Sequence, residues 1–89
     1  MPTVSFTRAL ERFLPAPSTA VEGATVSAAL AAVFASQPVL RGYVLDDQGA
    51  LRRHVAVYVN GRLVIDRNRL TDPVAPRDEI YVFQALSGG

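Results

Sequence analysis

One stretch in the second half of the chain carries the strongest short-range hairpin signal that a sequence can offer. Two runs rich in β-branched residues lie within Arg53–Ile65 and are joined by Asn60-Gly61. Asn and Gly accept the positive φ angles that a two-residue hairpin turn requires, so the stretch predicts two antiparallel strands. Alternation in the first run predicts one buried and one open face. The predicted buried residues are Val55, Val57 and Val59, and the predicted open-face residues are His54, Ala56 and Tyr58.

Upstream of this hairpin, a second pattern predicts an amphipathic helix. Its apolar residues recur at helical spacing and form one stripe: Val26, Ala29, Leu30, Val33 and Phe34. Thr25 is the predicted N-cap, and the helix is predicted to end near residue 36 or 37, because Pro38 disfavours helical angles in the residue before it. The apolar segment 40–45, interrupted by Gly42, predicts a short strand or a turn, and residues 46–49 predict a tight loop.

The two ends of the chain supply the remaining predicted strands. Alternation over Thr3–Thr7 predicts a first strand, and Ser18–Glu22 predicts a second strand that pairs back on it. An irregular connection over residues 66–78 is predicted to place Leu70 in the core, and the last strand begins at Glu79. In the first strand Val4 and Phe6 share one face. In the last strand the predicted inward residues are Ile80 and Val82, and the predicted open-face residues are Tyr81, Phe83 and Ala85.

The elements therefore follow the order hairpin, helix, hairpin, last strand. An α+β fold, with one main helix packed across one face of a sheet of four to five strands, is the simplest way to bury their apolar residues. We expect residues 1–85 to form this single domain. Residues 86–89 are expected to form a flexible C-terminal tail. Gly88 and Gly89 lack a Cβ atom, so they can adopt backbone angles that are unfavourable for other residues.

Composition excludes several classes of function. The chain has 89 residues, no cysteine and a single histidine, so it has no disulfide, no thiolate nucleophile, and too few ligands for a zinc or iron–sulfur site. A net charge of +1 argues against a dedicated nucleic-acid binder. No apolar run approaches the roughly 20 residues of a membrane span, and the first residues lack the pattern of a secretory signal. We expect a cytoplasmic protein that binds neither nucleic acid nor membrane and is a monomer when free.

Several charged residues could be read as functional, but their positions are explained by structural roles at the surface, in a turn or at a sheet edge. His54 is predicted to be a surface residue at a strand end, because no partner nucleophile or metal ligand is apparent. Asp46 and Asp47 belong to a turn and lack the further oxygen ligands of a metal site. Arg52 and Arg53 are predicted to form a solvated sheet edge, with contact to an acidic rim on a partner as the alternative. All nine basic residues are arginine, so no lysine side chain is available for modification.

The slim end of the chain suits entry into a narrow enzyme cleft, where a terminal carboxylate can react. A carboxylate is a poor electrophile until another enzyme converts it into an acyl-adenylate, and this chain has no phosphate-binding loop for that step. Any such chemistry would be done to this protein, with Gly89 as the reacting residue. Many chains end in loose glycines without a function, and Gly88-Gly89 taken alone favours that interpretation.

From His54 onward, the chain resembles the ubiquitin-like sulfur carriers of bacteria. These include the small subunit of molybdopterin synthase, the thiamine-pathway carrier and the carrier that delivers sulfur for cysteine synthesis. The matching residues are Val57-Tyr58-Val59-Asn60-Gly61, Leu70, Asp78-Glu79-Ile80 and Gly88-Gly89. The first strand and the helix match in kind and order. The resemblance implies the β-grasp fold.

The resemblance also implies a chemistry for the tail. An activating adenylyltransferase would use ATP and magnesium to adenylylate Gly89, which is then converted to a thiocarboxylate, while Leu86, Ser87 and Gly88 thread the enzyme. A sulfur-accepting biosynthetic enzyme would be the second partner, and this chain would bind no cofactor itself. The run 84–87 lacks the proline common in two of these carriers, and Pro76-Arg77-Asp78 replaces a glycine-containing turn. These departures leave the cysteine, molybdopterin and thiamine pathways open.

An exposed apolar patch is predicted beside the tail, formed by Ala56, Tyr58, Tyr81 and Phe83 together with Leu86. Contiguous exposed apolar surface on a small domain usually marks a contact site, so we interpret the patch as the surface that docks both partners. A reversed strand register, with the rings in the core, is the alternative. Three functions remain open: sulfur carriage, covalent modification of another protein's lysine, and a non-covalent adaptor with incidental glycines.

Overall fold

The structure, a computed structural model, describes residues 1–11 and 18–84. Within these ranges it contains five strands and three helices. In chain order they are β1 (Thr3–Phe6), α1 (Arg8–Glu11), β2 (Ser18–Ala20), α2 (Val26–Ser36), α3 (Pro38–Val44), β3 (Val55–Val59), β4 (Arg62–Leu63) and β5 (Glu79–Gln84). The strands lie where the sequence predicts them, although β1, β2 and β4 end earlier than predicted.

All five strands form one mixed sheet in the order β2-β1-β5-β3-β4. β5, the last strand of the chain, lies in the centre. It pairs in parallel with β1, where Val4 is opposite Ile80, and antiparallel with β3, where Val57 is opposite Val82. β1 pairs antiparallel with β2, and β3 pairs antiparallel with β4. β5 therefore joins two hairpins that do not touch each other in the sheet.

One face of this sheet is buried under the helices in a single hydrophobic core. The predicted stripe of α2 is confirmed, because all five of its residues are buried. The predicted inward residues of the strands are confirmed as well: Val4, Phe6, Val55, Val57, Val59, Ile80 and Val82 are all buried. No described polar or charged residue is buried in this core, so it is held together by apolar packing.

The start of α2 is fixed by a side chain, by a neighbouring loop and by a close backbone contact. Thr25 is the N-cap, as predicted, and its Oγ1 accepts a hydrogen bond from the Ala28 amide at 3.1 Å. The amide of Ser27 donates to the carbonyl oxygen of Leu70 at 2.9 Å. Gly23 lies against this turn so closely that a Cβ atom there would sit 2.7 Å from the Ala29 nitrogen. The chain therefore requires glycine at position 23.

The prediction of a strand or turn at residues 40–45 is wrong. Residues 40–44 belong to α3, which begins at Pro38, two positions after the last residue of α2, and Leu45 forms an isolated antiparallel bridge with Leu51. Proline is well suited to the first position of a helix, where its missing N–H has no partner to lose, so Pro38 separates two helices. Leu40 and Val44 lie one helical turn apart and are both buried. Gly42 lies within α3 and does not interrupt it. A Cβ atom at that position would meet no atom within 4 Å.

The predicted hairpin at Asn60-Gly61 is confirmed in its turn and its register. Asn60 and Gly61 have φ angles of 51° and 82°, and Val59 pairs with Arg62 across the turn. Positive φ at both central residues matches the twist of the flanking strands. β4 has only two residues, and the chain then leaves the sheet at Ile65, whose amide donates to the Asp72 carboxylate at 2.9 Å.

The connection between β4 and β5 is irregular, as predicted, and Asp66 organises it. Its carboxylate accepts hydrogen bonds from the Arg69 amide at 2.9 Å and from the Thr71 hydroxyl at 2.6 Å. These bonds, led by that of Thr71, lower the pKa of Asp66 to about 2 because they favour the charged carboxylate. Leu70 lies inside this turn with a φ of 55° and a buried side chain, which confirms its predicted place in the core.

No helix within residues 1–11 and 18–84 is long and apolar enough to cross a membrane. In the same part of the chain, no three His, Cys, Asp or Glu residues are grouped so that they could hold a metal ion.

Candidate functional site

The face of the sheet opposite the helices carries the predicted apolar patch. Tyr81 and Phe83 of β5 are 40% and 43% exposed, while Ala56 and Tyr58 of β3 are half-buried beside them. The rings of Tyr81 and Phe83 are 6.5 Å apart between centroids and tilted by 48°. The alternative register, with the rings in the core, is therefore wrong. That this patch binds a partner remains a prediction.

Strand pairing makes the patch contiguous. Ala56 lies opposite Phe83, and Tyr58 lies opposite Tyr81, so the four residues form a block across two neighbouring strands. The same pairing adds a residue that the sequence analysis did not place: Leu63 of β4 lies opposite Tyr58 and is 54% exposed. The register that a two-residue turn imposes would have revealed it, since Tyr58 and Leu63 are one step beyond the pair that closes the turn. We call these five residues the open-face patch.

The end of β5 is held firmly where the predicted tail begins. The Gln84 amide donates to Oγ1 of Thr7 at 3.0 Å, and the Gln84 side-chain nitrogen lies 3.3 Å from Nε2 of His54. Val55 pairs with Gln84 on the other side. β5 is thus anchored on both sides at its last residue. The predicted site residues Leu86, Ser87, Gly88 and Gly89, and also Ala85, lie outside the described residues, and their roles remain predictions.

The start of β5 is fixed by a polar clamp that the sequence analysis did not recognise. The side chain of Asn60 donates from Nδ2 to Asp78 Oδ1 at 2.8 Å, and its Oδ1 accepts from the Glu79 amide at 2.9 Å. Asp78 also accepts from the Ala75 amide at 2.8 Å. This backbone hydrogen bond, the bond from Asn60 and the charge of Arg62 lower the pKa of Asp78. Asn60 therefore has two structural roles. Its backbone forms the hairpin turn, and its side chain binds the start of β5.

This clamp brings together two of the segments that carry the family resemblance. Asn60-Gly61 and Asp78-Glu79-Ile80 are far apart in sequence, yet they are hydrogen-bonded in the fold. Their joint effect is to set the position of β5, and with it the aromatic residues on one face and the exit point of the chain. These two matching segments therefore have a structural role, which is to fix the start of β5.

A mixed five-stranded sheet with its last strand central, one face under a main helix and the other exposed, defines a ubiquitin-like protein of the β-grasp class. The ThiS family model matches residues 12–89. The chain belongs to the ThiS family, and it has the ubiquitin-like fold of sulfur carrier and modifier proteins. No curated protein sequence matches it significantly.

Solved structures confirm this fold along nearly the whole chain. SAMP1 from Haloferax volcanii is 28% identical, with a TM-score of 0.83 and coverage of 99% of this chain and 98% of that one. The matching chain in the Amycolatopsis orientalis BexX/CysO complex is 26% identical, with a TM-score of 0.87 and full coverage of both chains. Mycobacterium tuberculosis CysO is 25% identical, with a TM-score of 0.84 and coverage of 97% and 100%.

Proposed function

We propose that this protein carries sulfur as a thiocarboxylate on Gly89. The Gly89 carboxylate of the mature chain attacks the α-phosphorus of ATP inside a magnesium-dependent adenylyltransferase, and pyrophosphate leaves. Hydrosulfide then attacks the acyl-adenylate carbonyl and displaces AMP, and loss of the proton from sulfur leaves the thiocarboxylate. Splitting one difficult substitution into two easier ones is the usual advantage of a covalent intermediate. ATP and magnesium are bound by the activating partner.

The extent of the family match carries this proposal. The match covers residues 12–89, which include β2 to β5 and continue through Gly88-Gly89, so the glycine end lies within the matched region. In the fold, the chain reaches this end directly from β5, the central and doubly paired strand. A rigid strand leading to a slim end is the arrangement that a protein needs when partners must recognise its body and react with its last residue.

The open-face patch supports a docking role for the body. Its aromatic members lie on β5 itself, and Phe83 is one residue from the anchored Gln84. Aromatic residues are enriched at the centres of protein interfaces because they bury much area at little entropic cost. In this proposal the patch docks the adenylyltransferase first and the sulfur-accepting biosynthetic enzyme afterwards. Use of one surface for both partners keeps the two from binding together.

Mass spectrometry of protein isolated from its own cells tests the proposal. We expect an intact mass that corresponds to one C-terminal oxygen replaced by sulfur, and we expect the purified chain to acquire AMP when it receives ATP and its adenylyltransferase. Deletion of Gly89 should abolish both. A matched control is Gly42→Ala, which also removes a glycine but has free space for the new methyl group. An unaltered chain that never acquires AMP contradicts the proposal.

A second function shares the first chemical step. The similarity to the archaeal protein named small archaeal modifier protein 1, at 26% identity, favours transfer of the activated Gly89 to a lysine of another protein. Gly-Gly remnants on target lysines would support this function. This chain has no lysine, so its own side chains cannot accept such a transfer. An adaptor that binds partners without covalent chemistry would be indifferent to the loss of Gly89.

A further inference from the structure

We propose that arginines around the exit of β5 bind an acidic rim on the adenylyltransferase that charges Gly89. The inference rests on the proposed function and deepens it, because it assigns a second contact surface and the chemistry of its partner. The surface lies at the end of the sheet, beside the open-face patch. Its two outer residues are Arg8 and Arg53, and we call them the exit arginines.

Chain length determines where that enzyme must touch the domain. β5 ends at Gln84, and five residues lead from there to Gly89. Five residues span at most about 17 Å even when fully extended. An enzyme whose reacting centre encloses Gly89 must therefore bring the mouth of its cleft close to Gln84. The side chains that surround Gln84 are necessarily among those that meet this mouth.

An exposed arginine stands on each side of Gln84. On the β1 side, Oγ1 of Thr7 accepts a hydrogen bond from the Gln84 amide at 3.0 Å. The residue after Thr7 is Arg8. On the β3 side, His54 lies 3.3 Å from the Gln84 side chain, and the preceding residue is Arg53. Both arginines are exposed. The geometry thus places two long, permanently charged side chains on the two flanks of the exit.

Further arginines reinforce the β3 flank. One surface depression is lined by Asp46, Leu51, Arg52, Arg53, His54 and Arg67. Arg67 donates to the Arg52 carbonyl oxygen at 2.8 Å, and Arg52 donates from Nε to the Gly42 carbonyl oxygen at 2.7 Å, so both guanidinium groups are held in place. Arg53 pairs with no carboxylate of the described residues. Arg53 is therefore the member of this group that can form a new ion pair.

The one carboxylate in this depression does not neutralise it. Oδ1 of Asp46 accepts from the amides of Gln48 and Ala50 at 2.8 and 3.0 Å, so this group is engaged by its own loop. Three arginines against one aspartate leave the lining positive although the whole chain has a net charge of only +1. At the opposite end of the sheet the charge is different, because the negative charges of Asp78 and Glu79 lie there together with the positive charge of Arg62.

A positive surface around the exit fits a partner with acidic residues around its cleft. Arginine presents a planar fork of donors that matches carboxylates, and opposite charges on two approaching proteins raise the rate of encounter. The expected contribution is to docking rather than to chemistry, since these side chains belong to the body of the domain and not to the reacting end. The effect should weaken as salt screens the charges, over a Debye length of about 10 Å at 0.1 M.

The experiment compares two double charge reversals with the same change in net charge. One chain carries Arg8→Glu with Arg53→Glu, and its control carries Arg62→Glu with Arg77→Glu at the opposite end of the sheet. The readout is kcat/KM for AMP transfer by the adenylyltransferase that charges the unaltered chain. We expect the exit variant to lose about 10- to 100-fold at low salt, mainly through KM, with the loss shrinking as salt increases. The control should lose less than about threefold.

The outcomes separate this inference from the proposed function. If the unaltered chain is never charged, the proposed function fails. If it is charged and the two double variants lose equal activity, or if the loss does not depend on salt, the arginine inference is overturned. Thermal unfolding checks that each variant folds. If the double reversal unfolds, Arg53→Gln, which removes a single charge, replaces it, and the readout is a loss of about threefold at low salt that disappears at high salt and is absent in Arg77→Gln.

Discussion

The two faces of β5 consist of alternating residues of one strand, yet they differ in what covers them. Ile80 and Val82 point under α2 into the core, whereas Tyr81 and Phe83 point away from it and stay substantially exposed. Folding explains the first pair, because burial of apolar surface is its main driving force. It does not explain two exposed aromatic rings side by side. The difference indicates that one face maintains the fold and the other is available for binding.

The largest expected effect tests this division on neighbouring residues. Ile80→Ala removes buried methylene groups and leaves a cavity, so it should lower the free energy of unfolding by about 2–5 kcal/mol. Tyr81→Ala, one residue along, should lower it by less than about 1 kcal/mol because its ring is already partly in water. Urea denaturation of both variants measures the contrast. Equal losses would mean that the ring of Tyr81 belongs to the core.

A smaller effect is expected when the open face is changed without disturbing the core. Phe83→Glu should leave the unfolding transition nearly unchanged and lower kcat/KM for AMP transfer about tenfold, because it places a charge in a desolvated contact. Ile65→Glu is the matched control, since Ile65 is 90% exposed and lies outside the open-face patch. Unfolding of the Phe83 variant, or equal loss of activity in the control, would refute the assignment of this face to docking.

The smallest effect concerns Asp66, whose hydrogen bonds organise the connection between β4 and β5. Its pKa is about 2 in the fold against an ordinary 3.8, so its stabilising contribution is present above pH 3.8 and lost as the pH falls through 2. Asp66→Asn should therefore lower the Tm at pH 7, and the difference from the unaltered chain should shrink between pH 4 and pH 2.

Thermal melts across this pH range measure the Asp66 effect. The control is Asp47→Asn in the exposed loop of residues 46–49, which should show no comparable pH-dependent difference. A difference in Tm for Asp66→Asn that stays constant from pH 7 to pH 2 would show that the charge of this carboxylate does not stabilise the turn.

Patterns with a local cause were predictable from the sequence. The Asn60-Gly61 turn depends on the backbone preferences of two residues, and the faces of β3 and β5 depend on alternation alone. The stripe of α2 needs only helical spacing. The exposure of the open-face patch followed from the strand register, whereas the role of Gly89 rests on the family resemblance and stays a prediction.

Features that depend on distant partners were not predictable. The segment that forms α3 is short and apolar, so its pattern fits a strand, a turn or a helix, and packing in the core decides between them. The clamp between Asn60 and Asp78 joins residues that are 18 positions apart. The hydrogen bonds that Asp66 accepts define the turn around Leu70, and the sequence spacing of the donors does not predict these bonds. The missed Leu63 is different, since pairing across the turn implies it.

The central place of the last strand has a consequence for synthesis. A ribosome delivers β1 and β3 long before residues 79–84, and until those residues emerge β1 can pair only with β2 and β3 only with β4. An interrupted translation product therefore lacks the middle of its sheet and exposes two unsatisfied strand edges. The two halves of the sheet are joined only once β5 has been translated.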